Sequence, residues 1–357
     1  MKMIITGIAK KSTSRFCYNH RMTLPLGKLP PERLSQLLNL IASSDPSVVL
    51  GPGVGRDCAV IDLGGDQLLV AKSDPITFAT DEIGWYAVHV NANDLATTGA
   101  TPRWFLATIL LPQAIEPEEI DRIFDQMRAA CAEIGATIVG GHTEVTTDLT
   151  RPIVSGMLLG TVKADRLVQP AGIQPGDALI LTKRLAVEAT SIIAREKAAE
   201  LASVFDAVFL QRCRQFLRTP GISVLKDAQI AQSVARIHAM HDPTEGGVAT
   251  ALHEMALAGQ VDLEVDVEEV PIYAETQQLC AHFDLDPWGV IASGSLLVAV
   301  GAAEADRVVE ELRKASIEAQ VIGRVIDRSD RPIVLEKRGE ERRPLRTFAR
   351  DEIARLF

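Results

Sequence analysis

The first rhythm along the chain is helical. In GKLPPERLSQLLNLIAS, Leu34, Leu37, Leu38 and Ile41 recur on one face behind Pro30 and Pro31, which predicts a helix entered through proline. The period then shortens. AVIDLGGDQLLVAKSD predicts a hairpin of two apolar strands joined by Gly64-Gly65-Asp66. Residues 84–98 return to helical spacing, with Trp85, Val88, Ala92 and Leu95 on one side and Asn91, Asp94 and Thr98 on another. One face is expected to pack and the neighbouring one to present an amide, a carboxylate and a hydroxyl. ATPRWFLATILLP predicts a buried strand, and PEEIDRIFDQMRAACAEIG an amphipathic helix closed by Gly135. ATIVGGHTEV predicts a strand running into a glycine loop, and RPIVSGMLLGTV a further strand.

Pro170, Gly172, Pro175 and Gly176 then mark a linker, followed by the strand ALILTK. Beyond it the mixture repeats: helices over 188–217 and 223–239, a helix over 246–257, strands over 261–267 and 295–300, and a helix over 303–314. The expected architecture is α+β in two domains, 27–168 and 169–357, behind a loosely ordered leader at 1–26.

Composition narrows the classes of function. The 357 residues are 47% hydrophobic and 24% charged, enough for two ordinary cores. A net charge of −10 and only 4% aromatics argue against nucleic acid and anionic membrane as partners, and favour small molecules. No apolar run reaches the roughly 18–20 residues of a membrane helix. The five cysteines are scattered without a C-x-x-C, as expected of thiols in a reducing cytoplasm. The basic leader lacks an apolar region, so it reads as a loose tail, or as an upstream start with Met22 as the true beginning.

The candidate chemistry is acidic. Asp57 lies in GVGRDCAVID, Asp74 in KSDPITF, Asp94 in NANDLATTGA and Glu144 in GGHTE. Carboxylates on separate elements repel one another unless a cation joins them, and magnesium takes oxygen ligands of this kind. Each element also has a plainer reading. Asp94 and Asn91 suit a solvated helix face, and Gly51-Pro-Gly-Val-Gly55 suits a tight turn. Pro75 pushes Asp74 towards extended geometry at a strand end, which suits a terminating turn equally well. In HDPTEGG, Asp242, Pro243 and Glu245 fit a capping box, while Gly246 and Gly247 at the helix start fit an anion site. His142, His238 and His241 read as hydrogen-bonding or helix-end residues rather than ligands, because magnesium does not favour imidazole. Ser293-Gly294-Ser295 suits either a phosphate contact or a plain loop. Lys72 and Lys183 read as solvated lysines, with the supply of positive charge to a phosphoryl group as the alternative.

Taken in order, G-x-G-x-D-x-A-V, S-D, N-D-L-A-x-x-G-A-x-P, G-G-x-T, D-P-T-x-G-G and S-G-S-L-L resemble the AIR synthase-like (PurM-like) superfamily, from about Gly27 to Val325. HDPTEGGV and SGSLLVAV are most similar to its branch of HypE-like hydrogenase maturation factors. The resemblance implies a homodimer whose N-terminal sheets join into a barrel, with ATP and Mg2+ in a cleft between domains and across the dimer. It implies magnesium-phosphate binding by Asp57, Asp74 and Asp94. Asn91, Gly140, Gly141, Thr143 and Glu144 are implied around the nucleotide or a second metal, and Asp242, Gly246 and Gly247 on the substrate side. The implied activity is ATP-dependent phosphorylation or activation of a small molecule. A kinase like thiamine-monophosphate kinase, or a maturation or regulatory partner with weak ATPase activity, is the alternative. Two features depart from the HypE pattern. Its tail ends in cysteine, whereas this chain ends Ile353-Ala354-Arg355-Leu356-Phe357 and its last cysteine is Cys280; its H-G-S-G-G segment is replaced by the region of Gly27-Lys28. The resemblance therefore carries the fold and the nucleotide, not the substrate.

Overall fold

The computed structural model describes residues 29, 31–41, 45–53, 55–76 and 81–357. The leader, with Cys17, Met22 and Gly27-Lys28, lies outside them, as does Pro30. Two sheets organise the chain. The first contains β1 (Val48–Leu50), β2 (Ala59–Asp62), β3 (Gln67–Ile76), β4 (Thr101–Pro112), β5 (Thr137–Thr146) and β6 (Ile153–Lys163), in the order β1-β2-β3-β6-β4-β5. The second contains β7 (Asp177–Thr182), β8 (Ile237–His241), β9 (Val261–Asp266), β10 (Leu297–Gly301), β11 (Ala319–Arg328), β12 (Val334–Arg338) and β13 (Glu341–Pro344), in the order β13-β12-β9-β11-β7-β10-β8. The helices are α1 (Pro31–Leu38), α2 (Ile83–Thr97), α3 (Pro117–Ile134), α4 (Val187–Glu196), α5 (Ala198–Leu201), α6 (Ala207–Gln215), α7 (Leu225–Val234), α8 (Gly247–Gly259), α9 (Ala274–His282) and α10 (Ala302–Lys314). No helix of the described residues is long and apolar enough to cross a membrane.

The hairpin through Gly64-Gly65-Asp66 forms as its pattern predicts, with β2 antiparallel to β3. The parallel pair β4–β5 is joined by α3, whose C-terminal Gly135 adopts φ 71° and closes the helix. Two helical expectations change. The span 188–217 is broken into α4, α5 and α6, and the expected helix 223–239 ends at Val234. Its last residues instead form β8, where Ile237, Ala239 and Met240 are buried and pair with β10. The strands β12 and β13 are largely charged and give only a weak apolar signal.

The largest difference concerns α2. It has no solvated face: every residue but Val90 is buried. It packs on β3, β6 and α3, and also on α7 and β8 of the second half. Close approach to β6 needs Gly156, where a Cβ would sit 2.6 Å from the Ala87 carbonyl oxygen and from Asn91 Nδ2. Asn93 ties the two halves together. Its Nδ2 donates to the Ile222 carbonyl at 2.8 Å and its Oδ1 accepts from Val224 N at 2.9 Å. A buried helix carrying Asn91, Asn93 and Asp94 must satisfy each of them inside the protein, and this requirement shapes the site.

Candidate active site at the junction of the two sheets

Lys72 is central. Strand period two places Lys72 and Asp74 on one face of β3. The Lys72 ammonium lies 3.1 Å from Asp74 Oδ2 and 3.0 Å from Asp94 Oδ2 of α2. Burial works against its charge, but Asp94, Asp74 and Asp57 outweigh burial and hold it protonated far above the usual lysine range. Lys72 is thus an internal counter-charge, not a solvated lysine.

The second half brings in β8. His241, at its end, meets Asp57 Oδ2 at 3.0 Å through Nδ1 and Glu254 Oε2 of α8 at 2.9 Å through Nε2. Burial disfavours the imidazolium; Asp57 and Glu254, one on each nitrogen, more than compensate and hold it well above the ordinary histidine range. Each ring nitrogen therefore donates to a carboxylate, and the ring fixes Asp57 in place. Asp57, His241 and Asp242 offer ligand atoms within 4.8 Å of one another.

Asp242 is not a helix cap. The helix α8 begins five residues later, capped by Gly246 at φ 80°, so the tertiary site overrides the local capping pattern. The Asp242 side chain is instead buried among the acids, and no donor from outside the acid cluster reaches either of its oxygens. Burial first, and the Asp57 charge second, push its carboxyl up to about 7. Asp94 is driven well above the carboxylate range by burial and by Asp242, Asp57 and Asp74, against the opposing pull of Lys72. Asp57 and Asp74 are partly exposed, so the cluster opens to solvent on that side.

These donors fit a hard divalent cation. The ligand atoms are carboxylate oxygens from both halves, and the two oxygens of a fully buried acid have no donor from outside the acid cluster. Imidazole is a poor magnesium ligand, and His241 already spends both nitrogens on carboxylates.

Other sequence candidates stand elsewhere. Asn91 uses its amide to hold β3: Oδ1 accepts from Asp74 N at 2.9 Å, and Nδ2 donates to the Ala87 carbonyl at 2.8 Å. It positions Asp74 and has no atom to spare for a nucleotide. Gly140, Gly141, Thr143 and Glu144 lie on exposed β5. Gly141 shares a row with Ala107, Gly156 and Asp74, so three strand spacings, about 14 Å, separate it from the acids. Glu144 pairs with His142 at 3.1 Å and does not join the cluster within one chain. Gly246 donates its amide to Asp351 Oδ2 at 2.7 Å, so the protein's own carboxylate occupies that anion position. Lys183 is buried, bonding Asp227 Oδ2 at 3.0 Å and the carbonyls of Ser223 and Gly294 at 2.8 and 2.7 Å. The described cysteines Cys58, Cys131, Cys213 and Cys280 are all buried, and burial pushes the Cys280 thiol up to about 12.

The loop Ser293-Gly294-Ser295 is likewise committed internally, since Ser293 N donates to Glu188 Oε2 at 3.2 Å and Ser295 Oγ to the Arg184 carbonyl. Glu188 is buried, and burial raises its carboxyl to about 7, above the value it has in an unfolded chain. The neutral form is the one the fold favours. Stability should therefore fall as pH rises from about 4.5 through 7. Glu188→Gln keeps an acceptor for Ser293 N, and urea titrations should find it more stable than the parent at pH 8, by up to about 3 kcal/mol, and equal to it near pH 4. Equal stability at both pH values would contradict this.

Asn93 and Glu254 are site residues that sequence reasoning did not name, while Lys72 and His241 were named there as a solvated lysine and a helix-end residue. Only the Lys72–Asp74 pair carried a visible signal, its same-face spacing on a strand.

Comparison with known proteins follows this geometry. Residues 55–162 match the family model described as AIR synthase related protein, N-terminal domain, and residues 174–335 match its C-terminal domain. A carbamoyl dehydratase HypE of Cupriavidus necator is 28% identical over 284 residues, covering 76% of this chain and 77% of that protein. A hydrogenase maturation protein HypE solved in complex with ATP superposes with TM-score 0.68 at 23% identity, over 87% of this chain and 92% of that one. A thiamine monophosphate kinase from Aquifex aeolicus superposes with TM-score 0.63 at 19% identity, over 86% and 97%.

Proposed function

Because the chain belongs to the AIR synthase related family, its two domain models together spanning most of its length, we propose that it is an ATP-dependent, magnesium-requiring enzyme that phosphorylates or activates a small molecule. The observation that carries this reading is the convergence of Asp57 and Asp242 from the two halves, with Asp94 against Asp242 and no donor from outside the acid cluster on either Asp242 oxygen. The name of the C. necator relative and the ATP bound to the HypE structure favour the same reading.

In this proposal Asp57, Asp94 and Asp242 hold magnesium, with Asp74 at the solvent side. Bound there, magnesium neutralises charge on the phosphoryl group being transferred. The chain's own residues supply the rest. His241 and Glu254 fix Asp57, Asn91 fixes the Asp74 backbone, and Asn93 holds the two halves in register. The described cysteines are all buried, and in this proposal the substrate itself supplies the attacking atom.

A second copy of the chain completes the proposal. Among the described residues the outer edge of β5 is unpaired, and Ile138, Val139 and Val145 are exposed on it. An apolar edge of this kind favours pairing with a second sheet. Such a homodimer would bring Gly140, Gly141, Thr143 and Glu144 of one chain toward the acids of the other. A maturation-protein partner and a cytoplasmic location, as expected for the HypE-like branch, belong to the same proposal.

Incubation with Mg-ATP and candidate acceptors, followed by phosphorus NMR, tests it. ADP with a phosphorylated product favours the kinase reading, which the thiamine monophosphate kinase fold supports. ADP and free phosphate with an altered amide favour activation. No nucleotide consumption with any acceptor, despite nucleotide binding, would favour the regulatory alternative.

A further inference from the structure

We propose that Lys72 is a built-in cation that takes the place of one divalent ion between Asp74 and Asp94. The inference rests on the magnesium reading above and sharpens it. The acids divide into two groups. Asp74 and Asp94 both address the Lys72 ammonium, at 3.1 and 3.0 Å, and the Lys72 side chain is only 14% exposed. Asp57 and Asp242 gather on the other side, beside His241. The first pair is already bridged by a charge that belongs to the chain; in the second, both oxygens of Asp242 are buried with no donor from outside the acid cluster.

An ammonium between two carboxylates performs the first task of a bridging metal: it cancels their repulsion and fixes their separation. It differs in two respects. It is tethered to β3, a strand hydrogen-bonded on both sides by β2 and β6, so it does not exchange with bulk ions. It also offers three donors and no open coordination position, so it holds the acids without recruiting a water or a second ligand through them. The geometry thus assigns the exchangeable divalent ion to the Asp57–Asp242 side, with the Asp94 carboxylate between the two, and leaves the Asp74–Asp94 side closed to metal.

Manganese(II) can replace magnesium as a countable probe. Bound manganese per chain is measured by electron paramagnetic resonance, in the presence of a non-hydrolysable ATP analogue, for the parent, Lys72→Met and Lys72→Arg. The expected result is one more manganese ion per chain in Lys72→Met than in the parent, and no change in Lys72→Arg. Equal counts in Lys72→Met and the parent overturn the inference. If none of the three binds manganese, the magnesium reading falls and the inference falls with it, a different outcome from equal non-zero counts. Anomalous scattering from manganese-soaked crystals of the unaltered protein gives a test that needs no variant. Lys72 should remain bridging, with no metal between Asp74 and Asp94; a metal peak there with Lys72 displaced overturns the assignment.

Discussion

Asp242→Asn is expected to move activity and stability in opposite directions. Magnesium-dependent turnover should fall by at least about 100-fold, the usual order when one preorganised charge contact to the transition state is lost. The metal-free protein, in contrast, should become more stable. Burial and the neighbouring Asp57 raise the Asp242 carboxyl to about 7, so its ionised form is disfavoured in the fold. A raised carboxylate destabilises progressively as pH climbs past its unfolded value, and asparagine has no charge to ionise. The gain should be full above about pH 7 and disappear near pH 4. Thermal melts in EDTA across that range, paired with turnover in magnesium, check both halves. A variant that loses stability along with activity would make Asp242 a structural residue. Asp94→Asn should likewise weaken Mg-ATP binding in a protein that still folds, and unchanged affinity would remove Asp94 from the site.

Lys183→Met should give the largest loss of stability with no direct effect on the acids. The Lys183 and Asp227 side chains are 6% and 2% exposed, and their contact spans 3.0 Å. Removing the ammonium leaves the Asp227 carboxylate buried with only the Thr182 hydroxyl at 2.7 Å, and strips a donor from the Ser223 and Gly294 carbonyls. Breaking a buried pair in this way typically costs about 3–5 kcal/mol, because an uncompensated charge remains. Lys183→Met combined with Asp227→Leu should recover much of that loss, since the stranded charge is then gone. Denaturant titrations of the single and double variants measure it, and a single variant within 1 kcal/mol of the parent (roughly the worth of an exposed pair) would contradict the burial argument.

Much of the site was legible because its acids sit in locally distinctive settings. Asp57 precedes an apolar strand, Asp74 lies near the end of one, and Asp94 falls within a helical stretch; these features depend on neighbours in sequence. Partners brought together by tertiary contact were not legible. His241 sits at the end of the five-residue strand β8, and the apolar spacing before it continues the rhythm of α7, so a longer helix was the natural expectation. Asp242 satisfies the local rule for a capping residue, yet α8 starts at Gly247 because the carboxylate is drawn into the cluster instead. For α2 the polar residues suggested a solvated face. Burial on all sides became possible because Asn91 and Asn93 find backbone partners in β3 and in the segment before α7. Glu144 was grouped with the acids because it follows a glycine pair at an expected strand end; three strand spacings keep β5 away from them in a single chain.

The interior of the cluster also explains why a cation belongs there. Two buried acids, Asp94 and Asp242, are pushed toward neutrality, while Lys72 and His241 are held charged beside them. A cation on the Asp242 side would let both acids ionise, so nucleotide and metal should bind as a linked pair.

Calorimetric titration of ATP into the protein, once with excess magnesium and once with EDTA, tests that linkage most directly. The account predicts saturable binding in magnesium that is abolished by EDTA and weakened by Asp242→Asn. Equal binding with and without magnesium, or none under either condition, would contradict it.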